Sequence, residues 1–326
     1  MPADAIQSMT GPDDLKPEVN PLRERWELFQ HNRMALASLG FLLALFVVAL
    51  TGVVLTGGTD PLINPSTVRL SQKLLPPLSP YASTLIKPEH APVFGVYLLG
   101  TDDLGRDVFA RMLQGTFVSL TVGFVAVGIS MTVGIFLGGL AGYYGRVKLG
   151  FMTVDTLIMR FVDIMLSFPT FFLILTVVAL LPPSIYNIMI VIGLTSWMQT
   201  ARLVRAEFLS LRGQDFVIAA QSQALPDWRI IFLHIAPNAM APVLVSTTIG
   251  VATAILTESS LSFLGFGVQP PDATWGNILA DGKSLIFDAP WLTFIPGFTI
   301  LLVVLAFNLC GEGLREAFNP KLRERR

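Results

Sequence analysis

Long apolar runs alternate with shorter polar segments along most of this chain. Six of the runs, at 34–56, 117–143, 164–181, 185–201, 240–264 and 292–310, approach or exceed the about 20 residues that a helix needs to cross a bilayer. They predict an all-α membrane protein with six transmembrane helices. The first run is too long for a signal peptide and no small-residue cleavage site follows it, so it reads as a retained span. Ahead of it, in PLRERWELFQHNR, Leu22, Trp26 and Phe29 recur at helical spacing among charged neighbours. That pattern predicts an amphipathic helix on the membrane surface, with docking of a partner as the alternative.

Composition supports the same class. The chain is 52% hydrophobic and 14% charged, with a mean hydropathy of +0.63. A soluble domain carries roughly 25% charged residues. The net charge of −1 argues against a nucleic-acid binder, and the single cysteine, Cys310, excludes an internal disulfide. The position of the basic residues carries more information than their sum. With the N-terminus inside, most of the 22 lysines and arginines fall in cytoplasmic segments, as expected for inner loops. The outer segments keep Arg69, Lys73, Lys87, Arg106, Arg111 and Lys283. The organisation expected is a cytoplasmic tail with the surface helix (1–33), a first span (34–56), an extracytoplasmic segment (57–116), a five-helix core (117–310) and a cytoplasmic tail (311–326).

One inner loop is patterned. In GQDFVIAAQSQALPDWRIIFLHIAPN (213–238), Asp215 reads as an N-cap and no helix breaker follows before Pro226. Asp227 can cap a second short helix ending near Pro237. Ala219, Ala220 and Ala224 would then offer a small-residue face to another protein. The alternative is a hairpin packed on its own bundle.

The stretch IAAQSQALPDWRIIFLHIAPN resembles the EAA loop of ABC-importer permeases. Ala219, Ala220 and Pro237 match that pattern, while Ile218 stands where a glutamate is expected and Ala224 where a glycine is. GTDDLGRDVFARMLQGTFVSL (100–120), LTESSLSFLGFGVQPPDATWGNIL (256–279) and GEGLREAFNPKLR (311–323) are similar to further blocks of dipeptide and oligopeptide permeases. The chain is thereby identified as resembling the C-type permease subunit of dipeptide, oligopeptide or nickel importers. The resemblance implies the type I importer permease fold, a bacterial inner-membrane location and no cofactor in this chain. It also implies a second homologous permease, two cytoplasmic ATPase subunits that bind the ATP, and an extracytoplasmic substrate-binding protein. Asp215, Phe216, Ile218, Ala219, Ala220, Ala224 and Pro237 would be the ATPase-coupling residues. Peptides are the family's usual cargo, with nickel or another small solute as the alternative.

Other chemistry has less support. GNILADGKS (276–284) has five residues between its glycines and lies in an outer loop, so it is no P-loop; Trp275, Ile278, Leu279 and Ile286 suggest an amphipathic helix at the outer interface. His31, His90 and His234 are scattered and make no metal-ligand spacing. Asp102, Asp103, Arg106 and Asp107 read as a self-pairing turn, without the spacing of a calcium loop. Pro169 predicts a kink, and Asp163 a structural pair, with Arg160 one candidate partner and transport chemistry the alternative. Glu258, inside the fifth span, must face the bundle or the pathway; an anchor for neighbouring hydroxyls and a pathway or gate residue are both open. A self-sufficient carrier would predict ion-coupling charges at mid-membrane and an inverted repeat, and neither pattern is present beyond Glu258.

Overall fold

The computed structural model describes residues 21–58, 61–81, 92 and 94–318. Residues 1–20, Lys87, His90 and the basic residues at 321–326 lie outside that set, as do the side chains of Leu22 and Glu24. The surface helix α1 (Pro21–His31) ends at Asn32, which starts α2 (Arg33–Thr56) by accepting the Ala35 N–H on its side chain. A 3-10 turn (Leu70–Gln72) and a two-stranded pair, β1 (Ser79–Pro80) with β2 (Val96–Tyr97), follow. Then come α3 (Val108–Tyr143), the hairpin β3 (Lys148–Leu149) and β4 (Met152–Thr153), α4 (Val154–Ser167), α5 (Thr170–Leu180) and α6 (Ile185–Arg212). The chain closes with α7 (Asp215–Ser222), α8 (Asp227–Arg229), a π segment (Ile230–Ile235), α9 (Ala236–Phe263), α10 (Trp275–Gly282) and α11 (Trp291–Ala317).

Backbone polar groups find no water in hydrocarbon, so long helices are the form these apolar runs must take. Among the described residues, four helices are long and apolar enough to cross a membrane: α2, α3, the continuous helix Asp227–Phe263, and α11. The pair α4 and α5 makes a fifth when counted together. The expected span at 185–201 is the apolar part of α6, whose remainder carries Arg202, Arg205, Glu207 and Arg212. Helix α6 is not among the spans that length and apolarity support, so the described residues give four or five spans where six were expected; we propose α6 as the sixth. Its placement alongside α3 along most of its length gives the reason for doing so.

Two expectations change here. Pro169 does more than kink a helix, since α4 and α5 meet at 84°. Phe168 is extended (φ −87°, ψ 136°), as the clash between a proline ring and the preceding residue dictates, and Pro169 is extended too (ψ 111°). Helix α3 also begins earlier than the apolar run suggests. Asp107 accepts the Phe109 N–H at 2.9 Å and starts the helix at Val108, and the charged Arg111 is carried inside it, 3% exposed.

Helix α1 is pinned as well as amphipathic. Phe29 is buried against Ala35, Cys310 and Ala317, Arg25 lies over the Phe318 ring, and Asn32 Nδ2 donates to Glu316 at 2.9 Å. Trp26 stacks on the Phe29 ring, with 5.8 Å between centroids, and remains half exposed.

Helices α3 and α6 make the most extensive contact in the bundle. Gly134, Gly138 and Gly142, one turn apart on α3, allow it. A Cβ at Gly138 would lie 2.4 Å from the Ala201 carbonyl oxygen, at Gly142 2.5 Å from Phe208 Cβ, and at Gly134 2.6 Å from Thr200 Cβ. In return, Gly193 of α6 admits Ile129. Membrane helices have no hydrophobic drive toward each other and rely on such close packing. Gly138→Leu is therefore expected to lower the melting temperature in detergent, at a cost of at least the ~1–3 kcal/mol of an overpacked core. Gly128→Leu, on the same helix with open space at its Cβ, should leave it unchanged. Equal melting of the two variants would remove the glycine contact as the determinant of this pair.

Candidate functional site

The patterned loop forms a knob at the bundle end that also carries α1 and the end of α11. Asp215 is the first residue of α7 and not its cap; Gln214 holds the cap position, with no side-chain bond. In that first turn the Asp215 carboxylate still faces the positive end of the helix. Termination precedes Pro226. Ala224 adopts φ +57°, the Ala224 N–H bonds to the Gln221 carbonyl and the Leu225 N–H to the Ala220 carbonyl. This pair of bonds around a left-handed residue is the Schellman closure. It explains why the resembling families place glycine where this chain has Ala224.

The small-residue face is divided, contrary to expectation. Ala220 is buried with Val217 against Phe208, Ile230 and Ile235, so extra bulk there would disturb the knob before it met any partner. Outward lie Phe216 (41% exposed), Ile218 (49%) and Ala219. Ala224 is exposed too, at the turn.

The second helix of the loop does not end near Pro237. The chain from Asp227 to Phe263 is one helix of 37 residues. The π segment widens the turn just ahead of Pro237, with the Ala236 N–H reaching the Ile231 carbonyl. Such a widening takes up a proline that lacks an N–H and crowds the preceding turn. Asp227 caps nothing; it accepts a 2.7 Å bond from the Tyr143 hydroxyl at the end of α3, and Arg212 Nη1 donates to the Tyr143 carbonyl at 2.8 Å. The knob is thus tied to α3, α6 and α9 together.

A cavity of about 380 Å³ lies between α3, α5, α6 and α9, also touched by Leu166 of α4. Hydroxyl and amide groups line it, among them Ser130, Thr195, Gln199, Thr247, Thr253 and Thr257, and no lining residue is charged. None of these positions stood out in the sequence. The visible signal is the spacing of Ser246, Gly250, Thr253 and Thr257, one face of a helix, hidden among the serines and threonines common in spans. Asp163 is away from this wall and pairs at 2.5 Å with Arg202, not Arg160; both side chains are half exposed, which makes the pair worth under ~1 kcal/mol.

Glu258 is fully buried and lies outside the cavity wall. Ser262 Oγ donates to Oε1 at 2.7 Å, while the Ser119 and Ser259 hydroxyls stand 3.5 Å from Oε2. Ser119 Oγ in turn accepts the Trp275 N–H at 3.3 Å. One carboxyl therefore joins α3, α9 and the start of α10. This geometry favours the anchor over the gate.

Helix α10 is packed into the bundle and does not lie on its surface. Trp275 and Ile278 are fully buried, the Thr274–Asn277 capping box starts the helix, and a Cβ at Gly276 would lie 2.7 Å from Ser259 Cα. The helix is packed inside the bundle, so its apolar side reports burial.

Its far end explains the charged turn. Asp102 accepts the Leu104 and Arg106 N–H groups on Oδ1, and Arg106 Nε (2.6 Å) and Arg111 Nη1 (2.7 Å) on Oδ2. Both arginines also reach Asp281 on α10, at 3.1 and 2.7 Å. The turn does not pair with itself alone; it clamps the 57–116 segment to α10. Asp102, Asp103 and Asp281 come within 4.8 Å of one another, but two guanidinium groups already sit among them. Burial raises the Asp107 carboxyl above its ordinary range, against the Phe109 and Ala110 N–H groups and Arg69. Burial, with Asp102 and Asp281 nearby, does the same to Asp103.

Comparison with known proteins finds the same organisation. The family described as "Binding-protein-dependent transport system inner membrane component" matches residues 134–324, and "N-terminal TM domain of oligopeptide transport permease C" matches residues 20–77. The dipeptide transport system permease of Alkalihalophilus pseudofirmus is 40% identical over 96% of this chain and 94% of its own length. The di/tripeptide permease of Pseudomonas aeruginosa is 38% identical over 93% of each. The oligopeptide permease of Bacillus subtilis is 36% identical over 75% of this chain and 78% of its own. Among solved structures, inward-facing MetNI methionine ABC transporter (CY5 native crystal form) superposes with a TM-score of 0.52 at 15% identity, over 65% of this chain and 98% of that one, a likeness of fold.

Substitutions at two positions test this geometry. Ala224→Gly is expected to raise the melting temperature, because glycine removes the ~1 kcal/mol left-handed penalty at an exposed site with no packing to lose; a lower melting temperature would contradict the Schellman assignment. Glu258→Gln should assemble normally and transport at near wild-type rate, since an amide can still bond to the hydroxyls, whereas Glu258→Leu should reduce the amount of folded protein recovered. Loss of transport in a well-folded Gln variant would return Glu258 to a gating role.

Proposed function

This chain belongs to the family of binding-protein-dependent transport system inner membrane components, and from that premise we propose that it carries di- and oligopeptides inward, as one half of a pathway driven by cytoplasmic ATPases. It is a permease of an ATP-driven importer and not an enzyme. The second half of the pathway would come from a homologous permease, the energy from two ATPase subunits, and the cargo from an extracytoplasmic binding protein. The peptide assignment draws on the relatives, whose names specify dipeptides, di/tripeptides and oligopeptides.

One observation carries the coupling mechanism: the helix that leaves the knob is the helix that lines the cavity. Asp227–Phe263 runs unbroken from the foot of α7 to Thr253 and Thr257. An ATPase that grips Phe216, Ile218 and Ala219 and moves on closing would tilt this helix as a lever. The ties through Tyr143 and Arg212 would carry α3 and α6 with it. Rigid-body rocking of this kind opens a cavity to one side of the membrane and then the other. The basic residues near the knob, Arg146, Arg202, Arg205, Arg212 and Arg229, support placing it and both termini in the cytoplasm, with α10 and the Asp102–Arg111 clamp on the outer side.

In the assembled importer, Phe216→Asp with Ile218→Asp should cost most of the ATPase recovered with the membrane subunits, along with transport, while the variant chain still inserts. Normal ATPase recovery and uptake would remove α7 as the coupling element. Uptake by the lone chain on a proton or sodium gradient would replace the importer with a secondary carrier.

A further inference from the structure

Five hydroxyls of the cavity wall, three of them on α9, are one-sided in their hydrogen bonding. Thr195, Ser196, Thr247, Thr253 and Thr257 all line the cavity. Each hydroxyl donates its hydrogen back into its own helix: to the carbonyls of Val191 (2.7 Å), Ile192 (2.7 Å), Val243 (2.8 Å), Ile249 (3.1 Å) and Thr253 (2.8 Å) respectively. A hydroxyl has one hydrogen and two lone pairs. Once the hydrogen is committed, acceptors are what it has left to offer the cavity. Met131 and Met198 add thioether sulfurs, themselves weak acceptors, with the Thr247 hydroxyl 3.5 Å from Met131 Sδ; the donors on the wall are the Gln199 amide and the hydroxyls of Ser130, Thr170, Thr200 and Ser246, of which only Ser246 belongs to α9.

Resting on the peptide pathway proposed above, we infer that this wall receives the donor end of the cargo: an ammonium group and the amide N–H groups next to it, as a peptide with a free amino terminus presents. The neutrality of the wall serves passage. A buried carboxylate would hold an ammonium group tightly, whereas neutral lone pairs along α9 offer several weak stations and no trap. Conduction requires this balance, with binding strong enough to admit the solute and weak enough to release it. The wall also lacks imidazole, thiolate and carboxylate groups among its lining residues. It is thereby ill suited to an unchelated transition-metal ion, for which imidazole and thiolate are the usual protein ligands.

The test uses two double variants in the complete importer, reconstituted in vesicles with its partner permease, ATPases and binding protein, with alanyl-alanine as the cargo. Thr253→Val with Thr257→Val keeps the side-chain shape and deletes the lone pairs; Thr253→Ser with Thr257→Ser keeps the lone pairs and deletes the methyl groups. The Val pair is expected to lower maximal uptake about fivefold, the worth of one neutral hydrogen bond, while cargo-stimulated ATP hydrolysis persists. The Ser pair should transport like wild type. Undiminished uptake by the Val pair would overturn the inference, and so would equal losses in both pairs, which would trace the effect to packing. If the wild-type importer itself takes up no dipeptide, the peptide reading fails first and this inference goes with it.

Discussion

The close approach of α3 and α6 is the contact on which the rest of the bundle depends. In lipid, apolar side chains gain nothing by leaving one apolar surface for another, so helices stay together through dispersion contacts at short range. Gly134, Gly138 and Gly142 let the backbone of α3 come against Thr200, Ala201 and Phe208, and Gly193 makes the reciprocal allowance on α6. With these two helices fixed, α9 packs against both, α5 closes the far side, and the cavity is the space left between them.

Polar groups secure the two ends of this frame in different ways. At the α10 end, buried charge is met by opposite charge and by backbone N–H groups. Asp102 receives two arginines and two amides, so its desolvation is offset several times over. Deeper in the same half, Glu258 has hydroxyls and no cation among its hydrogen-bond partners, which suits an anchor better than an exchanging ion site. At the knob end, single bonds from Tyr143 to Asp227 and from Arg212 to Tyr143 suffice, because Val217, Ala220, Ile230 and Ile235 already form an apolar core there.

This division suits the lever proposed for the knob. A lever works only if its handle is firmly joined to its arm, and the π segment preserves that continuity where Pro237 would otherwise interrupt it. The 84° break at Pro169 does the opposite. It lets α5 border the cavity while α4 turns away toward the knob end, where Asp155 pairs with Arg205 of α6.

The apolar runs and four family-like blocks were enough to reach a helical membrane permease and to mark 213–238 as a loop with its own helices. Those properties depend on what each residue is, summed over a window, and a window survives the loss of any one detail. The sequence did not disclose which face of a short helix turns inward. Ala219 and Ala220 read alike, yet one is exposed and the other packed against Phe208 and Ile230; a small side chain serves close packing and open docking equally well. Trp275 and Ile278 likewise suit an interface or a core, and the tertiary fold buried them. Pro169 broke its helix and Pro237 did not, because the second has a widened turn ahead of it. Asp102 found Asp281 across the chain, and Glu258 found Ser119. Local pattern determined the elements, while partners distant in sequence decided orientation, burial and pairing, since those energies arise only once the helices meet.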